Sequence, residues 1–193
     1  MFLTINFSTD ATVPISPPAS PVLGESSRSL IEHFNPNDAV INDENSVVMP
    51  VAKITPYLDK ALAALGLHTE ARTSFITFVF KFTSACPFAY PYNFCRYWLP
   101  SILKHQYLAF RFLPQASYEE AAPLEIFPSP DVTTRVFMIF TGVAEGELQN
   151  WTTASCRASE DAAHWRKIVG VDLERSSDVN LFRVLEWGGM EIR

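Results

Sequence analysis

The stretch "TTRVFMIFTG", Thr133–Gly142, decides how this chain is read. Side chains alternate across an extended backbone, so Val136, Met138 and Phe140 fall on one face and Arg135, Phe137 and Ile139 on the other. A strand is expected, with an arginine interrupting one face. Moving toward the N-terminus, "YLAFRFLP" (Tyr107–Pro114) repeats the pattern, setting Leu108, Phe110 and Phe112 against Tyr107, Ala109 and Arg111. Between the two, "LEIFPSPD" (Leu124–Asp131) predicts a shorter strand stopped by Pro128 and Pro130. The chain closes with "LFRVLEWGGMEI", where Gly188-Gly189 between apolar runs fits a tight hairpin or a strand end. Farther upstream, "SVVMPVAKI" (Ser46–Ile54) is a short strand that Pro50 marks as an edge.

The helical signals are separate. Thr55 is placed to cap a helix with Pro56 in its first turn and Gly66 as its stop. Tyr57, Leu58, Ala61, Leu62 and Leu65 form one apolar stripe along it. Thr69 is placed to cap a second helix, "EARTSFIT". A third runs roughly over 160–169, with Ala162, Trp165, Ile168 and Val169 turned inward. The order β-α-α-β-β-β-α-β implies an α+β two-layer domain with a mainly antiparallel sheet.

One segment breaks the pattern. In "SFITFVFKFTSACPFAYPYNFCRYWLPS", Ser74–Ser101, the ends read as helix, but residues 78–96 hold seven aromatics, two prolines and two cysteines. Without those nineteen residues, Phe75, Trp98 and Ile102 fall at helical spacing, and Ile76, Leu99 and Leu103 make a matching row. Nineteen residues are about 5.3 helical turns, so the two rows cannot stay in phase along one helix through the insert. Phe, Ser and Pro have pyrimidine-rich codons. The last base of a Thr77 codon can begin a GT donor, and Phe94-Cys95-Arg96 can encode a pyrimidine tract ending in an AG acceptor. Removing those nineteen codons keeps the frame. Residues 78–96 are therefore read as a retained intron translated in frame, and a dominant transcript that carries those codons would overturn this. The competing readings are a genuine aromatic insertion loop, a membrane hairpin and a Cys86/Cys95 redox pair; neither arm of a hairpin reaches the roughly 20 residues that spanning needs.

Bulk properties bound the function. At 193 residues the chain holds one domain with a proper core. Its net charge of −6 argues against nucleic acid and against a polybasic membrane anchor, so neither nucleic acid nor membrane is an expected partner. The opening "MFLTINFSTDATVP" has no basic n-region and no sustained apolar run, so no secretory leader is expected. Three cysteines are too few and too oddly spaced for a disulfide scaffold. A cytoplasmic protein follows. Residues 1–46, rich in Pro, Ser and Asn, read as a disordered or loosely draped arm, leaving 47–193 as a single domain.

From about Val47 onward the chain resembles an uncharacterised family of fungal proteins with more distant bacterial relatives. The resembling blocks are "ITPYL", "LGLHTEARTSFIT", "YWLPSILKH", Tyr107–Gln115, "YEEAAPL", "SPDVTTRVFMIF" and "FRVLEWGGMEI". In that family the "SFIT" and "YWLPS" blocks run together, which supports excising 78–96. The resemblance implies no activity, cofactor or catalytic residue.

Chemistry is sparsely signalled. His33, His68, His105 and His164 are dispersed, with no HExxH and no CxxC, so no metal site is expected, and His68 suits a capping role. There is no GxGxxG, no P-loop and no GxSxG, so no cofactor is expected and no catalytic residue is assigned. Glu119 and Glu120 are adjacent and read as a solvated turn rather than an acid/base pair. The strongest constellation is Arg111, Arg135, Arg183, Glu186 and Trp187. If the strands of Arg111 and Arg135 are neighbours, two guanidiniums can converge on a carboxylate or phosphate. The bland reading is an Arg–Glu network with Glu125 or Glu186 as partner. The leading expectation is a non-enzymatic domain binding a protein, a peptide or a small anionic ligand. The alternatives are a small enzyme with an arginine-lined anion pocket, and a membrane-active protein using the aromatic insert.

Overall fold

The computed structural model describes residues 33–80 and 105–192. The alternation in Thr133–Gly142 becomes the central part of a long strand, and the sheet is built around it. The strands are β1 (Val47–Pro50), β2 (Tyr107–Phe112), β3 (Val132–Val143) and β4 (Arg183–Glu191), in the spatial order β1-β2-β3-β4. The helices are α1 (Val51–Ala64), α2 (Thr69–Phe80), α3 (Gln115–Ala121), α4 (Thr152–Arg157), α5 (His164–Val169) and α6 (Leu173–Ser177). The class is α+β. The sheet is mixed rather than mainly antiparallel: β1–β2 and β2–β3 are antiparallel, but β3–β4 is parallel. The chain returns to β4 through α4, α5 and α6, and a crossover of that length brings a strand back in the same direction.

Both faces of the sheet are buried. On the first, Val47, Met49, Leu108, Phe110, Phe112, Val136, Met138 and Phe140 pack under α1, α2 and Trp165 of α5. On the second, Val48, Ala109 and Val143 lie under Ala154 of α4, while Leu113 and Ile139 lie under Phe34. The two-layer expectation therefore gains a second cover of short elements. Part of that cover is the stretch expected to be a loose arm. Over residues 33–46, Phe34 is buried, Ser46 is buried, and the Asp43 carboxylate accepts from the Ala154 amide at 2.8 Å, capping α4 from a distance. That bond holds the Asp43 carboxyl below the usual aspartate range.

Several local expectations are corrected. Helix α1 begins at Val51, straight from the strand, and Pro56 lies inside it rather than in its first turn. The Val51 amide is already taken by the Gln106 carbonyl at 3.0 Å, and Pro56 leaves only the Ala52 carbonyl without its intrahelical donor, at a solvent-exposed residue. Gly66 does stop the helix. At φ +82° it lets the Gly66 amide reach the Ala63 carbonyl and the Leu67 amide reach the Leu62 carbonyl, both at 3.0 Å. His68, not Thr69, caps α2: its Nδ1 accepts from the Ala71 amide at 3.3 Å. Phe75 and Ile76 are buried, as their spacing predicts. Their expected continuation through Trp98 and Leu99 lies outside the described residues, as does nearly all of 78–96.

No strand forms over 124–127. Phe127 is 99% exposed in a loop, because β2 and β3 pair directly and leave no place between them. The third predicted helix shortens to His164–Val169, and Ile168 is 44% exposed because the helix presents only Trp165 and Val169 to the core. Gly188-Gly189 is neither hairpin nor strand end but the interior of β4. A Cβ on Gly189 would sit 2.8 Å from the Met138 carbonyl oxygen, and one on Gly188 would sit 3.2 Å from the Phe137 ring. Gly189 is required by the close parallel approach of β3, and Gly188 leaves the Phe137 ring its place.

Candidate functional site

The sheet register places the five sequence candidates and separates them. Arg111 stands opposite Ile139 on β3, four residues from Arg135, or about 13 Å along the strand. Both arginines are on the second face, offset by those four residues. Glu186 is on that same face and directly beside Arg135 in the parallel register. Trp187 is on the first face, where its ring meets Phe75 at 5.4 Å between centroids. Arg183 lies at the exposed start of β4, with Nη1 donating to the Ser176 carbonyl at 2.9 Å.

Arg135 is the centre of a polar cluster. It is 3% exposed; its Nε donates to Glu186 and its Nη1 to Glu119. Nη1 also donates to the Ala122 carbonyl at 2.7 Å, and the guanidinium sits 4.2 Å above the Tyr118 ring. The Tyr118 hydroxyl donates to the other Glu186 oxygen at 3.2 Å. Burial opposes the Arg135 charge, but the two carboxylates outweigh it and raise its pKa. Burial, followed by the Glu186 charge, raises that of Tyr118. Of the two carboxylates expected as partners, Glu186 is present, while Glu119 stands where Glu125 was expected; Glu125 is exposed.

Glu119 reaches the cluster because "QASYEEA" forms α3, not a turn. The signal for this helix is in the sequence. Pro114 precedes the run, and Pro123 forces Ala122 out of helical geometry, to φ −142° and ψ 75°. Gln115 was also unanticipated. Its side-chain Oε1 accepts from the Arg135 backbone amide at 2.6 Å, while its side-chain Nε2 donates to the Gly170 carbonyl at 2.9 Å, tying β3 to the end of α5.

A second site is concave. A cleft of about 620 Å³ runs along β1, which is an edge of the sheet among the described residues. At its base is the edge of β1 at Val48, Met49 and Pro50, where the Val48 and Met49 side chains are buried on opposite faces of the sheet. One wall is α1, which presents Lys53, Tyr57 and Lys60 at the i, i+4, i+7 spacing of a single helix face. The other wall is the segment 155–162, with Ser155, Ser159, Glu160 and Asp161. Tyr57 is anchored from beneath, its oxygen accepting the Trp165 Nε1 proton at 3.0 Å. Burial raises the Tyr57 pKa, the Trp165 hydrogen bond opposes this, and the charges of Glu160 and Asp161 add to the rise. The wall spacing is visible in the sequence, but only folding reveals what lies opposite.

No three His, Cys, Asp or Glu side chains come together to hold a metal ion among the described residues, and none of their helices is long and apolar enough to cross a membrane. Comparison with protein families, with curated proteins and with solved structures finds no match.

Proposed function

We infer that this chain is a binding domain whose ligand seat is the cleft along β1. The observation that carries this reading is a cleft of about 620 Å³, a volume in the range of small-ligand sites, lined by hydroxyl, charged and apolar groups together. The anion pocket expected on the sheet is disfavoured, since the Arg135 guanidinium is held by Glu119 and Glu186 and an incoming anion has to displace a carboxylate. A membrane-active role rests wholly on residues 78–96.

Filling the cleft tests the reading. Ser155 is exposed and lines it, so Ser155→Trp obstructs the seat with a stability change of about 0.5 kcal/mol or less. In ligand-detected NMR against a library of small metabolites and short peptides, the ligands that bind the full chain are expected to bind the variant about tenfold more weakly. Equal binding by both proteins, or no ligand for the full chain, defeats the cleft as the seat.

A further inference from the structure

Going one step beyond the cleft reading, and resting on it, we propose that the ligand is a small zwitterion of dipeptide size. Its carboxylate lies against Lys53, Tyr57 and Lys60, and its ammonium against Glu160 and Asp161.

The argument is one of charge placement. Lys53 and Lys60 are seven residues apart on α1, about 10 Å of helical rise, and Tyr57 lies between them. The Tyr57 oxygen accepts from Trp165, so its own proton remains for an acceptor in the cleft. Three donors thus line one wall. The facing wall has two acidic residues at the entry to α5. Asp161 uses Oδ1 on the Ala163 amide at 2.9 Å, which leaves its carboxylate further acceptor capacity. Among the described residues, neither lysine is within ion-pair distance of Glu160, Asp161 or any other carboxylate. The cleft therefore carries both signs of charge with no ion pair between its lysines and its acids among the described residues. A purely anionic ligand gains from the lysines and is repelled by Glu160 and Asp161; a purely cationic one meets the reverse. Only a molecule with both charges satisfies both walls. The edge of β1 at Val48, Met49 and Pro50 lies beneath the frame that joins them, and about 620 Å³ has room for a dipeptide.

The test uses leucyl-alanine, its N-acetyl form and its C-terminal amide, titrated at low ionic strength into the full chain by calorimetry. The zwitterion is expected to bind, and each blocked form about fivefold more weakly, since these contacts are solvent-open. Combining Glu160→Gln with Asp161→Asn is expected to remove the penalty for acetylation. Combining Lys53→Gln with Lys60→Gln is expected to remove the penalty for amidation. All four positions are exposed, so thermal unfolding should confirm that the variants are folded. Equal binding of all three compounds, sensitive to Ser155→Trp, overturns the zwitterion and leaves the cleft reading standing. Equal binding that ignores Ser155→Trp overturns both. No binding of the zwitterion at millimolar concentration overturns the proposal alone, because the library screen judges the cleft separately.

Discussion

Arg135→Ala is expected to lower the unfolding free energy by about 3–5 kcal/mol, measured by urea denaturation followed by circular dichroism. The size follows from what alanine leaves behind. Glu186, only 15% exposed, keeps a carboxylate with no cation beside it, and the Ala122 carbonyl loses its donor. Glu119 is half exposed and adds little, because water takes over its solvation. The ring of Tyr118 loses the guanidinium stacked over it, and with it part of what fixes α3 to the sheet. A second variant isolates the cause. Arg135→Met combined with Glu186→Leu removes both charges and keeps apolar bulk, so it is expected to recover most of the loss. If Arg135→Ala instead shifts the midpoint no more than Glu125→Ala, an exposed control, then the cluster is not a structural fastening. The anion-pocket reading would then regain its strongest residue.

Legibility in the sequence followed the range of the interaction. Alternation in β2 and β3, the apolar stripe of α1 and the Gly66 stop are set by neighbours within a few residues, and each appears where its pattern predicts. Residues whose role is fixed by a distant partner were misread. Gly188-Gly189 looks like a turn because turns are the commonest local reason for paired glycines; here the reason is the Met138 carbonyl on the adjacent strand. Ile126 and Phe127 have strand-like composition, but no neighbouring strand is free to pair with them. Thr55 and Thr69 are good caps by type, yet the chain direction imposed by β1 and the turn after Gly66 gave those places to Pro50 and His68. The candidate site divides in the same way. Arg135 and Glu186 are both marked by the sequence as charges interrupting apolar strands, but the register that sets Arg135 beside Glu186 and offsets Arg111 by four residues is not contained in alternation alone. The cleft was missed because its two walls are about a hundred residues apart in the chain.

Trp165→Ala is the second large effect, expected to cost about 3–5 kcal/mol in the same urea experiment. Trp165 is 1% exposed and meets Phe112 edge-to-face at 5.2 Å, so alanine leaves a cavity between α5 and the sheet. It also removes the donor to Tyr57. The hydrogen bond separates from the cavity by comparing conservative variants. Tyr57→Phe strands a buried indole N–H and is expected to cost about 1–3 kcal/mol, whereas Trp165→Phe leaves a phenol that still borders the cleft and can find water. The double substitution, Tyr57→Phe with Trp165→Phe, is therefore expected to cost less than the two single changes added together, by about 1 kcal/mol. Strict additivity would mean the bond does not hold the wall. The consequence reaches the ligand seat, because Glu160, Asp161 and Ala162 lead directly into α5. Loosening Trp165 disturbs the acidic wall and the anchoring of Tyr57 at once, while Lys53→Gln disturbs neither. A loss of binding in Trp165→Phe therefore ties the seat to the packing of α5, which holds both the 160–162 segment and Tyr57 in place.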